Sequence, residues 1–333
     1  MIRPLLVVTL LCGSALAARA NDTTANLAVG GLVFTRTNAV AMRSEALSIS
    51  QQRVDVAYVF VNESEQPVTT TVAFPLPTIQ LDPFDFNVDI PSDDPGNPFA
   101  FRTSVDGQPV TMAVDRAAFV GDRNVTAILQ KLGVAFAPPT EATTAALDAL
   151  PQPEKKRLEA AGIAKTDSFD AGKGWETHLA PAWAYRITYH WDQTFPPGRP
   201  VSVTHSYKPS VGATVATPLG SKYATPQEIA EKRKRYCIED DLMRTVAKRT
   251  RAAEASGGIG FSERWIDYVL TTGANWAKPI GSFSLSVDKG APQNLVSFCA
   301  TGVTKIGPTR FQVKKQNFLP KSDLAILILV PGS

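Results

Sequence analysis

Along residues 27–119 apolar and polar positions alternate, the period-two pattern of strands that bury one face. The clearest stretch is RVDVAYVFVNESEQPVTTTVAFPLP (53–77). Val54, Val56, Tyr58 and Phe60 share one side, and Arg53, Asp55 and Ala57 the other. After the polar turn Asn62–Gln66, the residues Val68, Val72 and Phe74 resume the pattern, which predicts a hairpin. FAFRTSVDGQPVTMAV (99–114) predicts a second hairpin, with Asp106-Gly107 at its turn.

The period then changes. DRNVTAILQKLGV (122–134) places Val125, Ile128, Leu129 and Leu132 on one helical face. Residues 139–163 read as two short helices separated at Pro151 and Pro153, the first capped by Thr140 or Thr143. Strand alternation returns over 180–209. Next comes TPQEIAEKRKRYC, where Thr225, Pro226 and Glu228 form a capping box with proline in the first turn. Residues 264–330 are strand-like again, ending on the apolar run LAILILV (324–330), which is too short to span a bilayer. The pattern predicts a mainly β chain of two β-sandwich-like units, with a short helical insertion at about 122–163 and one connecting helix. The expected division is a leader (1–20), an N-terminal β-rich domain (21–215), and a helix plus C-terminal β-rich domain (216–333).

The leader follows from residues 1–26. Arg3 precedes an apolar run from Leu5 to Cys12, then two small-residue cleavage patterns ending at Ala17 and Ala20. This reads as a secretory signal peptide, so the mature chain is expected to be periplasmic or secreted, with no transmembrane segment. Leu10 and Leu11 precede Cys12 where a lipoprotein signal would carry small residues.

The formal net charge is +3, and loss of Arg3 and Arg19 with the leader leaves it near neutral. Such a balance argues against nucleic acid as an obligate partner. The basic run Lys232–Arg235 is followed by Glu239, Asp240 and Asp241 and reads as a solvated helix face. Past the leader two cysteines remain, Cys237 and Cys299. In an oxidising compartment they form one disulfide; otherwise they are two buried thiols.

Candidate chemistry is sparse. The chain lacks a Gly-x-Ser-x-Gly elbow, a His-Glu-x-x-His motif, a phosphate loop and a Cys-x-x-Cys pair, and it implies no cofactor or metal. The acids of 79–98, including Asp82 and Asp85, do not match a calcium loop. His190 and His205 lie in YHWDQTFPPGRPVSVTHSY (189–207), either side of a Pro-Pro-Gly turn. Tyr185, Ile187, Tyr189 and Trp191 are apolar at odd positions, as are Val201, Val203 and Tyr207. Read as a hairpin, a register that buries both odd faces sends His190 and His205 to opposite faces and excludes a two-histidine metal site. His205, Trp191, Asp82 and Asp85 are the ligand-site candidates.

The same stretch, extended to YHWDQTFPPGRPVSVTHSYKPSVG, resembles a block of the bacterial exported family called domain of unknown function 4424. NDTTANLAVGGLVFTRTNAVAMRSEALSIS, FVNESEQPVTTTVAFPLP and YVLTTGANWAKPIGSFSLSVDKG resemble its other blocks. The likeness spans nearly the whole mature chain and implies an exported β-rich protein with no assigned activity. NESEQPV…FPLP is also similar, over about two strands, to the start of vault/inter-α-trypsin domains. The function expected is non-enzymatic: an envelope binding or scaffolding module whose partner is an envelope protein or a glycan. The alternative is a hydrolase or glycan-acting enzyme pairing Asp82 or Asp85 with His178 or His205.

Overall fold

The computed structural model describes residues 22–28, 31–81, 89–136, 141–170, 172 and 174–332. The leader, Asp82, Asp85 and Thr140 lie outside the described residues.

The first strands are β1 (Thr23–Ala28), β2 (Gly31–Thr35), β3 (Val40–Ile49), β4 (Val54–Asn62), β5 (Val68–Pro75) and β6 (Ile79–Gln80). Then come β7 (Arg102–Val105), β8 (Gln108–Pro109), β9 (Ala113–Val120) and β10 (Arg123–Asn124). The helical insertion is α1 (Thr126–Lys131), α2 (Glu141–Asp148) and α3 (Gln152–Ala160). It leads into β11 (Ala164–Asp170), β12 (Trp175–Pro181), β13 (Ala184–Phe195), β14 (Pro200–Tyr207) and β15 (Gly212–Thr214). Two helices follow, α4 (Pro226–Tyr236) and α5 (Asp240–Ala255). The chain ends with β16 (Phe261–Tyr268), β17 (Ile280–Asp288), β18 (Leu295–Phe298), β19 (Thr304–Lys305), β20 (Arg310–Phe318) and β21 (Leu324–Pro331).

The fold is mainly β. One sheet runs β10-β9-β13-β5-β1-β2, with β6 also on β13; a second runs β19-β20-β17-β3-β4-β14-β7-β8. They face each other as a sandwich. A third sheet, β15-β16-β21-β18, packs alongside, and β11-β12 form a two-stranded arm. In the second sheet β17 runs parallel to β3, from Ser282↔Ser44 to Val287↔Ile49. That pairing joins early and late parts of the chain in one sheet.

Two expected hairpins are corners of the sandwich. β4 pairs with β3 and β14, whereas β5 pairs with β1 and β13. Likewise β13 lies in the first sheet and β14 in the second, and the turn after Phe195 carries the chain between layers. Gly198 there takes φ 64° and donates its N–H to Asn62 O at 2.8 Å. Buried Asn62 in turn donates from Nδ2 to Phe195 O at 2.9 Å. The physical reason is that period two identifies the buried face but not the neighbour that buries it. Two strands with odd faces inward meet no register conflict when they oppose each other across a core. The expected burial holds: Ile187, Tyr189, Trp191, Val201, Val203, His205 and Tyr207 are each 5% exposed or less. The 99–114 hairpin does form, with Asp106 (φ 48°) and Gly107 (φ 79°) at the turn between β7 and β8.

The third sheet has two apolar faces. Ile266, Tyr268, Ile326 and Ile328 join the sandwich core, and Phe261, Leu327 and Leu329 join Tyr236, Ile238 and Val246 beneath α4 and α5. That two-sided burial is the reason LAILILV is apolar throughout. The connecting helical segment breaks at Cys237, which adopts φ 50° and caps α4.

Candidate binding site

The histidines occupy three separate environments. His205 projects from β14 into the sandwich. Its Nε2 lies 3.0 Å from both carboxylate oxygens of Asp22, and neither side chain is exposed. Its Nδ1 meets the Thr103 hydroxyl at 2.9 Å, and that hydroxyl also lies 2.9 Å from Met112 Sδ. Phe74, Phe101 and Trp191 surround the imidazole with ring centroids 5.0, 5.2 and 5.4 Å away. Burial raises the Asp22 pKa, and His205 offsets part of that rise. Two of the ligand-site candidates, His205 and Trp191, therefore meet, but in the interior. A depression of about 740 Å³ lies on the outer face of the same sheet, floored by Ser48, Ser206, Ser284 and Ser286, but the His205 side chain is sealed from it.

His190 is on β13, half-buried, opposite Ala73 and Ala113. His178 sits on the β11-β12 arm. Its Nδ1 is 2.7 Å from Asp148 at the end of α2, and its Nε2 is 3.4 Å from Glu176. Both hydrogen bonds raise its pKa. Asp148 also accepts the Leu179 N–H at 2.7 Å, so this cluster docks the arm on α2. Among the described residues no group of three or more His, Cys, Asp or Glu side chains is arranged to hold a metal.

Converging groups line a cleft of about 630 Å³ where all three sheets approach α4. Its walls come from Leu76–Gln80, from Phe99 and Tyr207, from Gly212 and Pro218, and from Trp265 and Asp267. The roof is one face of α4: Glu228, Glu231, Lys232, Arg235 and Tyr236, spaced as neighbours on a helix surface.

Several features of the chain hold that roof in place. Thr225 Oγ1 accepts the Glu228 N–H, and Glu228 accepts the Thr225 N–H at 2.7 Å, which completes the capping box. The Thr225 N–H and hydroxyl, both donating to its carboxylate, lower the Glu228 pKa. At the other end Cys237 is joined to Cys299, 62 residues later. Between the ends, Lys232 Nζ reaches Glu263 at 2.6 Å; Glu263 is fully buried and also accepts the Thr217 hydroxyl at 2.7 Å. Arg235 donates to both oxygens of Asp267, at 2.8 and 3.0 Å. Although burial works against the Arg235 charge, Asp267 keeps its pKa raised. The basic run is therefore not simply a solvated face. Its first and last members are tied to β16.

Of the aromatic residues around the cleft, Trp265 is half-buried and Tyr207 packs into the sandwich core against Phe74 and Phe101. The Trp265 indole lies directly over Gly212, where a Cβ would sit 1.9 Å from the ring. Tyr207 is 3% exposed, its phenol pKa is pushed up by burial, and its hydroxyl has no hydrogen-bond partner among the described residues. The sequence reading missed Trp265, Tyr207 and Arg235 as a group. The only signal was an acidic, aromatic alternation (Glu263, Trp265, Asp267) on the side of β16 that elsewhere is apolar.

Comparison with known families supplies an identity at the level of family. The model of the domain of unknown function DUF4424 matches residues 20–327. The chain belongs to the DUF4424 family. A solved structure from Legionella pneumophila, described provisionally as a nutrient binding protein, is 16% identical to this DUF4424 chain. The alignment covers 93% of this chain and 70% of that one at a TM-score of 0.45, a likeness too loose to carry an argument. No curated protein matches.

Proposed function

We propose that this DUF4424 protein is exported and acts outside the cytoplasm as a non-enzymatic binding module, with the cleft beneath α4 as its ligand site. The carrying observation is the preorganised roof: a capped helix, cross-linked at its C-terminus by Cys237–Cys299 and tied to β16 by two ion pairs, facing half-buried Trp265. A concave pocket lined by fixed polar groups is a form that small-ligand sites take. The leader-like residues 1–20 and a disulfide suited to oxidising compartments support export. The sealed His205–Asp22 pair supports a structural rather than a catalytic role for the most conspicuous histidine.

The test is thermal denaturation of the purified mature protein against a panel of neutral, anionic, cationic and apolar small molecules. A rise in Tm with one class, lost in Arg235→Gln, is expected. No shift with any class would remove the cleft as a ligand site. Export is checked by cell fractionation with N-terminal sequencing; a cytoplasmic chain with residues 1–20 intact would overturn it.

A further inference from the structure

We infer that the β19–β20 edge of the eight-stranded sheet is a docking surface for an anionic lipid membrane. It is independent of the cleft beneath α4.

The first observation is charge. Residues 289–322 contain no Asp or Glu, in a chain that carries 31 of them, and they hold Lys289, Lys305, Arg310, Lys314, Lys315 and Lys321. The formal net charge of the whole chain is only +3, so the rest of the molecule is net negative. Lys289 is buried against the Pro292 and Asn294 carbonyls, and Arg310 pairs with Asp288 at 3.1 Å. The other four lysines form no ion pair among the described residues, and Lys315 donates only to the neutral Thr301 hydroxyl at 2.7 Å. Their charge is therefore available to an outside partner.

The second is exposed apolar surface in the same segment. Val303, Ile306 and Leu319 are 40, 49 and 48% exposed. Ile306 follows Lys305 at the start of the β19–β20 turn, where its N–H is donated to the Arg310 carbonyl at 2.9 Å. All three lie outside both the depression and the cleft, so they offer a surface rather than a pocket. Cationic groups beside aliphatic ones suit the boundary of a bilayer. The lysines meet headgroup phosphates while the aliphatic side chains enter the acyl margin.

The third is the shape of the edge. β19 covers β20 only at Phe311 and Gln312, which leaves Val313–Phe318 as the outer strand. Lys314 and Lys315 flank that open edge on opposite faces. The nine residues of β20 span about 30 Å, enough to meet several headgroups at once. Edge lysines also discourage strand-to-strand pairing. That role alone requires neither the exposed Ile306 nor an acid-free stretch from 289 to 322.

The test is vesicle flotation with the full mature protein, its disulfide intact. The vesicles are phosphatidylcholine alone, and equal parts of phosphatidylcholine and phosphatidylglycerol. Binding to the mixed vesicles only is expected, and raising salt from about 50 to about 500 mM should release it. Lys314→Gln/Lys315→Gln should weaken partitioning by about thirtyfold. Lys305→Gln/Lys321→Gln, off the open strand edge, should give a similar loss even if the first variant aggregates. Ile306→Ser should weaken partitioning by about fivefold and leave its salt dependence in place. Folded protein that does not float with the mixed vesicles would overturn the assignment, as would equal binding to phosphatidylcholine alone. Binding that survives both lysine variants would place the membrane contact elsewhere and leave the lysines as guards of the strand edge. Poly-glutamate bound as tightly as the mixed vesicles, with Ile306→Ser without effect, would make the edge a site for an acidic polypeptide and overturn the lipid reading.

Discussion

Asp22 and His205 lie 183 positions apart, and their side chains meet at 3.0 Å with no exposed surface on either. The contact pins the start of β1 to the centre of the sandwich, where Trp276 Nε1 also donates to the Asp22 carbonyl at 2.7 Å. Asp22→Ala is expected to leave Nε2 of His205 without its partner in the core and to destabilise the protein by about 1–3 kcal/mol. Asp22→Asn keeps a hydrogen-bonding group there and should cost less. Because burial raises the Asp22 pKa above its usual value, the native state favours the protonated acid relative to the unfolded chain. The Asp22 contribution is therefore greatest below the ordinary carboxylate range and declines as pH rises through the raised value. Urea unfolding across that range should show the wild type losing ground to Asp22→Asn as pH rises. Parallel curves would refute the shift.

The Cys237–Cys299 bond closes a loop of 62 residues and anchors the C-terminus of α4. In the chain-entropy model a loop of that length is worth about 4 kcal/mol. The Cys237→Ala/Cys299→Ala double variant should unfold at clearly lower denaturant, and wild type under reductant should follow it. Equal midpoints with and without reductant would show that the bond does not form in solution.

Sequence reading found the parts of this fold that are local. The Thr225–Glu228 capping box, the break between α2 and α3, and the Asp106-Gly107 turn each depend on a few adjacent residues, and each is present. The buried odd positions of β13 and β14 were legible for the same reason. Which layer each strand enters was not, because alternation is identical for a strand facing its hairpin partner and one facing an opposite sheet. The parallel β3–β17 pairing and the cleft are non-local. The cleft draws on five separated segments between Leu76 and Asp267, none remarkable alone. His205 and Trp191 stood out by residue type, and their type proved to serve the core.

Lys232 and Glu263 make a second testable pair. Glu263 has no exposed side-chain surface, whereas Lys232 retains 25%. Lys232→Met should leave a buried carboxylate with only the Thr217 hydroxyl and lower stability by about 2–3 kcal/mol, below the cost for a fully buried pair because Lys232 is partly hydrated. Adding Glu263→Gln to that variant should restore part of the loss. A double-mutant cycle in urea measures the coupling, and additive losses would show that the pair contributes nothing as a pair.

Gly212 faces Trp265 across the β15–β16 ladder. A Cβ at 212 would fall 1.9 Å from the indole, far inside contact distance, so Gly212→Ala forces the ring off its seat. The expected result is a loss of about 1–3 kcal/mol, together with a change in tryptophan emission. A variant with wild-type stability and emission would show that the indole does not lie on this glycine.

His178 offers a pH test separate from the core. Its hydrogen bond to Asp148 is the main cause of its raised pKa, with Glu176 adding to it and burial opposing both. The native arm therefore favours the imidazolium. The sign follows: the contribution of His178 to docking the arm is present below its ordinary value of about 6.5 and is lost as pH rises through the raised midpoint. Asp148 is held below its usual range although burial works against its charge, because the Leu179 N–H and His178 favour the carboxylate. In a proton-carbon NMR titration the His178 ring should therefore turn over above 6.5, and Asp148→Asn should bring that midpoint down. The Leu179 amide should exchange faster in the same variant, since it loses a charged acceptor at 2.7 Å. A wild-type midpoint at or below 6.5 would mean that the arm does not dock on α2 through this pair, and Leu179 exchange unaffected by Asp148→Asn would point the same way.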